Sequence, residues 1–456
     1  RLFFGSMVAT MKLPPTSLLR FCLGFATWPL VPAAMSAAKD AAIAPARPAV
    51  AGNVGFGANT PAGRGGRVLK VTNLNATGPG SLAEALQARG ARIVVFEVGG
   101  VIDLGGKVMK ISEPFLTIAG QTAPSPGISV IRGGIGISTH DVLIQHIRVR
   151  AGDLGRAQKS GWEVDSMATT AAWNVVVDHC SLAWGTDENL SASGPRFAGS
   201  GIVEWRQRTS HDVTFRHCII AEGLSHSTHI KGEHSKGSLI HDNATRIAIV
   251  GNLYASNVER NPLFKGGVQG VVVNNLIDNP GNRAVHYGLL ASEWEGHPFV
   301  TGQMVLVGNV LQYGPDTKEK RALLSLGGNG ALEVFADDNL AHDRAGQPVE
   351  FAAITSQSKT ASLRKLDAPP LWPEGLRALP AAQVKAEVLK QAGARPWDRD
   401  EVDRRIVRQV IEGKDRIIDS QEQVGGYPKP AMTTRKLAVP RENIEAWLAS
   451  FCPATF

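Results

Sequence analysis

Between about Val68 and Phe351 the chain is written in short β-branched runs separated by Gly, Asn and Asp, and no helical period persists there. Laid over one another, the runs share one template. Val142-Leu-Ile-Gln-His-Ile147, Val175-Val-Val-Asp-His-Cys180, Val213-Thr-Phe-Arg-His-Cys218 and Ile247-Ala-Ile-Val-Gly-Asn252 are followed by Val271 to Asn275, Met304 to Asn309 and a poorer copy at Asp338-Asn339. The sixth position falls at residues 147, 180, 218, 252, 275, 309 and 339, in steps of 33, 38, 34, 23, 34 and 30 residues. That is the spacing of a solenoid. A unit this short cannot bury its own apolar face, so consecutive units must stack. Connections of this length between strands of one direction fit a coil in which each turn lies on the one before. The pattern therefore predicts an all-β parallel β-helix over residues 67–357. A propeller fits poorly, because a step of 23 residues is too short for a four-stranded blade.

The sixth position also predicts a bend. Asn252, Asn275, Asn309 and Asn339 would lie above one another, each amide partnered by the next. Cys180 and Cys218 continue the column as small buried residues, the alternative being a disulfide across neighbouring turns.

The flanks have a different texture. Residues 1–38 read as a secretory signal: Lys12 and Arg20 precede an apolar run and then small residues, with a cut after Ala38. The apolar run is about half the ~20 residues of a membrane span and contains Pro29 and Pro32, so the expectation is a secreted protein without a membrane anchor. Residues 39–66 form an Ala/Pro/Gly-rich arm. Beyond residue 357 helical periodicity takes over, with helices expected over 380–393 and 399–411 in a tail, 358–456, that packs on the coil and caps its open edge.

Composition narrows the function. With 43% hydrophobic and 20% charged residues in 456 the chain can bury a large core, and four cysteines exclude a disulfide-stapled scaffold. The net charge of +7 suggests nucleic acid until it is located. The leader holds three positive groups and the tail 17 against 13 negative, leaving 28 of each sign in residues 39–357. The coil is neutral, and no nucleic-acid partner is expected.

Candidate chemistry sits in two stretches. Glu163 and Asp165 are two apart, so on a strand both carboxylates share a face. Joined by Asp187 and Glu188 from the next turn they make a hard oxygen site suited to Ca²⁺. Lys236, Arg260 and Lys265 fall in inter-strand segments of the following turns, on the same side of the coil. Cations beside a metal site suit a polyanion whose carboxylates bridge both.

Thr117 to Pro124, Asn174-Val-Val-Val-Asp-His-Cys180, Asp187-Glu-Asn-Leu190, His234-Ser-Lys236-Gly-Ser-Leu-Ile240 and Arg260-Asn-Pro-Leu-Phe-Lys265-Gly-Gly, in this order, resemble the extracellular pectate lyases of polysaccharide lyase family one, over roughly residues 51–345. Gly393 to Asp400 and Gly425-Gly-Tyr-Pro428 are similar to the tail of one bacterial and fungal branch. The resemblance implies a right-handed parallel β-helix that cleaves α-1,4-polygalacturonate by Ca²⁺-dependent β-elimination, acting as a monomer. It assigns Asp165 and Asp187 to calcium, with Glu163 as a further acidic ligand. Ala183 stands where a ligand is usual, and Glu188 or water substitutes. Arg260 matches the catalytic arginine and Lys236 the substrate lysine. Lys265 replaces an arginine, and His234 and His179 are placed with the substrate contacts. Asp178 is structural, as are the column asparagines. The rival readings are a polygalacturonase-like hydrolase, for which the Asn-Thr-Asp, Asp-Asp and Arg-Ile-Lys series is missing, and a non-catalytic β-helix adhesin.

Overall fold

The computed structural model describes residues 54–355 and 360–453; the signal and most of the arm lie outside the described residues. Each turn of the coil contributes one strand to an eleven-stranded sheet and, in most turns, two shorter strands to a seventeen-stranded sheet. Pairing within the coil is parallel, and Thr433–Thr434 adds an antiparallel pair at Val98 and Gly99. In the smaller sheet Val142 pairs with Val175, Val175 with Val213, Val213 with Ile247, Ile247 with Gly270 and Gly270 with Met304. This is the register of the sequence template. The architecture is a right-handed parallel β-helix.

The bend after this sheet has a backbone cause. The fifth template position, His146, His179, His217, Gly251, Asn274, Gly308 or Asp338, has positive φ on every one of these turns. His, Asn, Asp and Gly are the residues that tolerate this left-handed region. The sixth position then points inward. Asn252 donates through Nδ2 to Asn275 Oδ1 at 2.9 Å, Asn275 to Asn309 at 3.0 Å and Asn309 to Asn339 at 3.0 Å. Asn252 Oδ1 accepts from Cys218 N at 2.8 Å. Cys180 and Cys218 are buried free thiols.

The core is the inside of the coil, where alternate residues of each strand meet, Val175 and Val177 beside Val213 and Phe215. The outer face of the smaller sheet is covered in part by the chain at 54–62. There Phe56 packs with Ala248, Val250 and Val271, and Ala62 with Leu143 and Val176. Gly57 fits because any Cβ would stand 2.6 Å from the Val175 carbonyl. Near the first turn, the helix Leu82–Gln87 adds Leu82 and Leu86 to the core, with Ser81 as its N-cap.

Two features depart from expectation. The strand Ser362–Lys365 extends the smaller sheet beyond residue 357, pairing with Ala331 to Val334; its Ser-Leu-Arg-Lys sequence is an edge strand with one apolar side chain, which the hydrophobic pattern hides. The tail helices, Ala381–Gln391 and Glu401–Glu412, do not cap an end of the coil. Their stripe of Val384, Val388, Val402, Ile406 and Val410 packs across successive turns, on Ala183, Trp184, Ile219, Leu253 and Leu276. The short strands there present small and branched residues outward, an apolar face that the helices cover. A buried ion cluster fastens the same contact. Asp403 accepts from Arg148 Nε at 3.0 Å, Arg150 at 2.8 Å and Ser181 Oγ at 2.7 Å, and Arg150 also binds Asp400 at 2.6 Å.

Candidate active site

The site is built in the links between the two short strands of each turn in the larger sheet. Ser181–Ala183 leads through 184–189 to Leu190–Ser193, and Ile219–Ala221 through 222–238 to Leu239–Ile240. Leu253–Ala255 leads through 256–262 to Leu263–Lys265. Single parallel bridges align Glu188 with Lys236 and Lys236 with Glu259, so residues far apart in sequence stack along the axis.

Charges alternate up this stack. Lys236 Nζ binds Glu259 Oε1 at 2.9 Å, and Glu259 Oε2 accepts from Arg283 at 2.9 Å. Arg260 forms an ion pair with Glu188, and Lys265 with Glu293. Lys265 also lies 3.6 Å from Asp242. Beside them opens a cleft of about 590 Å³ whose lining includes Glu163, Asp187, Glu188, Glu259, Arg260, Lys265 and Arg283.

The acidic side of the cleft is a cluster of carboxyls. One oxygen each from Asp165, Asp187 and Glu188 lie within 4.8 Å of one another. Asp165 Oδ1 also accepts from Glu188 N at 3.0 Å, which fixes one turn on the next. Burial and the Asp187 charge push the Asp165 carboxyl above its ordinary range. Burial would do the same to Asp187, but the hydrogen bond and charge of His234, with Arg260 and His229, outweigh it and hold Asp187 below that range. Burial also lowers the Arg260 guanidinium, against the pull of Asp187 and Asp165. Three clustered carboxyl oxygens suit a hard cation.

The structure therefore brings together Asp165, Asp187, Glu188, Lys236, Arg260 and Lys265. Glu163 borders the cluster without joining it: Oε1 accepts from Ile230 N at 3.0 Å and lies 3.5 Å from His229 Nδ1. Glu163 and Asp165 belong to an extended segment before the strand Met167–Thr170, with buried Val164 between them. Ala183 is turned to the tail helices.

Two placements correct the sequence reading. His179 is outside the cleft, since its left-handed turn position directs it to the tail side. There it binds Asp178 at 2.6 Å and its ring neighbours those of His146 and His217 at 5.0 and 4.6 Å. His234 borders the cleft, but its side chain is only 4% exposed and its Nε2 is spent on Asp187 at 2.7 Å, so it is a partner of that carboxylate and not a substrate contact. Asp178 has a structural set of partners, accepting from Arg216 at 2.9 Å and Gln145 at 2.9 Å. Glu259, Arg283, His229 and Glu293 were not anticipated. Their only sequence signal was proximity to a residue already singled out, as with Glu259 beside Arg260.

Comparison with known proteins identifies the family. No family model matches the chain. It is 31% identical over 379 residues to a probable pectate lyase C of Neosartorya fischeri, covering 82% of this chain and 80% of that protein. A probable pectate lyase C of Aspergillus flavus is 32% identical over 383 residues, with 82% and 80% covered. Among solved structures, jun a 1, the major allergen from cedar pollen, shares the fold with a TM-score of 0.54 at 16% identity, covering 75% of this chain and 92% of that one. The extent of the match to the fungal proteins shows that this chain is a polysaccharide lyase and belongs to the pectate lyase family.

Proposed function

We propose that this protein is a secreted lyase that cleaves α-1,4-linked polygalacturonate by Ca²⁺-dependent β-elimination, leaving 4,5-unsaturated oligogalacturonides. The observation that carries the reading is the convergence of Asp165, Asp187 and Glu188 with Arg260 and Lys236 on one face of the coil. Asp165 and Asp187 would hold the cation, with Glu188 completing the set from the same turn as Asp187. When bound, Ca²⁺ supplies positive charge to the uronate carboxylate and acidifies its C5 proton.

The chain's own groups do the rest. Lys236, aligned between Glu188 and Glu259, faces the charge that develops on the uronate as C5–H is lost. Arg260 receives the C5 proton, the electron pair forms the C4–C5 double bond, and the C4–O bond to the departing sugar breaks. An arginine is an ordinary base only when its charged form is destabilised, and burial works in that direction here. Lys265 and Arg283, which also line the cleft, supply positive charge for neighbouring uronates. Carboxylate ligands for a cation favour a de-esterified substrate, whose free uronate carboxylates would be drawn to it. The leader 1–38 delivers the protein to the outside of the cell.

The test is incubation of the purified protein with polygalacturonate, with and without EDTA. Ultraviolet absorbance of the unsaturated product should rise, and the chelator should abolish it. Reducing ends without the chromophore would establish a hydrolase instead, and neither product would establish an adhesin.

A further inference from the structure

The geometry points to His234, braced by His229, as the positioning residue of the Asp187 carboxylate: it occupies one oxygen of that group and leaves the other directed at the cation. This inference rests on the cation-dependent lyase reading.

His234 comes from the turn after Asp187. Its Nε2–H donates to Asp187 Oδ1 at 2.7 Å, and the interactions of Asp187 with both imidazoles run through Oδ1. Oδ2 takes neither of these imidazole contacts, and one oxygen of Asp187 lies within 4.8 Å of oxygens of Asp165 and Glu188. The ring cannot swing away. It stacks on the His229 ring at 3.7 Å with 11° between the planes. Its backbone is tied on both sides, His234 N to Ser225 O and Ser235 N to Leu224 O, each at 2.9 Å. His229 is ordered in turn: its Nδ1 accepts from Lys231 N at 3.1 Å, so its own proton is on Nε2, 3.7 Å from the same Asp187 oxygen.

Both imidazoles turn Nε2 to Asp187 Oδ1, so they serve that carboxylate. Two N–H groups facing one oxygen select one rotamer of Asp187. A ligand already in its bound rotamer loses less freedom when the cation arrives, and outer partners of this kind are typically worth about 10–100-fold in metal affinity.

Cation binding is measured by Tb³⁺ luminescence and by Ca²⁺ calorimetry on the full chain, without substrate. His234→Leu should weaken binding about 10–100-fold, and His234→Gln, which keeps an N–H donor at similar reach, should recover most of it. In lyase assays the Ca²⁺ concentration for half-maximal rate should rise in His234→Leu while kcat at saturating Ca²⁺ stays close to wild type. In an Asp187→Asn background His234→Leu should have no further effect. Equal losses in the Leu and Gln variants, unchanged affinity in His234→Leu, or a loss that persists without the Asp187 carboxylate would overturn the positioning role and leave the lyase reading intact. Tb³⁺ and Ca²⁺ binding unaffected by Asp165→Asn and Asp187→Asn would overturn the cation site itself, and the inference with it.

Discussion

Arg260 is ion-paired with Glu188, a residue two turns back along the coil that also belongs to the carboxyl cluster of Asp165 and Asp187. One carboxylate thus faces both the proposed base and the proposed cation site. A cation that drew on Glu188 would weaken its hold on the guanidinium, and a weaker hold favours the neutral form that can accept a proton.

Arg260→Ala should therefore lower the rate of unsaturated-product formation by at least about 10²–10⁴-fold, the usual range for a general base, with an unchanged circular dichroism spectrum. Arg260→Lys should recover little, because the planar fork is lost. Product formation at the wild-type rate in Arg260→Ala would remove Arg260 from the chemistry.

Calcium should stabilise the folded protein. At a concentration about 100 times its dissociation constant a ligand adds ~2.7 kcal/mol, visible as a rise in melting temperature that EDTA reverses. Asp165→Asn should abolish the rise. Its stability in EDTA should be no lower than wild type, since a half-buried carboxyl crowded by Asp187 is replaced by a neutral amide.

A second pH-sensitive pair lies under the tail. Asp278 and Asp415 are buried against one another, and burial with mutual repulsion raises Asp278 well above its ordinary value; burial raises Asp415 too. An unfolded Asp titrates near about 3.9. Between that value and the higher folded one, the folded state keeps a proton that the unfolded state gives up, so this pair makes stability fall as pH rises through the interval. Asp278→Asn should raise stability at pH 8 by about 1–3 kcal/mol, the cost of an ill-matched buried polar group, and change it little at pH 4. Urea denaturation at both values checks the sign.

Asn275→Ala should be costly. Its Oδ1 accepts from both Asn252 N and Asn252 Nδ2, and its Nδ2 reaches Asn309 and two carbonyls. Each buried group left without a partner costs about 1–3 kcal/mol, so the loss should exceed that of replacing the less buried Asn339, measured by the same denaturation.

What the sequence made legible was whatever repeats. The left-handed fifth residue and the inward sixth recur on each turn, so the register of Val142, Val175, Val213 and Ile247 follows from aligned text. Asp165, Asp187, Glu188, Lys236, Arg260 and Lys265 were likewise reachable, because a coil puts equivalent links on one side. The misses share a cause. Lys236 and Glu259 become partners only through register, and nothing local to Glu259 distinguishes it from a surface acid. His179 follows Asp178 in the chain, but its backbone conformation turns it from the cleft. His234 has the same residue type as a substrate contact, and only its burial against Asp187 reveals another task.

The bend at the fifth and sixth positions has a consequence for how such a protein diversifies. Two adjacent residues make the corner, so it is indifferent to the length of chain that follows. Steps between sixth positions range from 23 to 38 residues, yet the strands remain aligned. Insertions in 279–284, the link that carries Arg283, can therefore rebuild one wall of the cleft while the corners stay in place. New polymer shapes can be accommodated by lengthening links, without renegotiating the core.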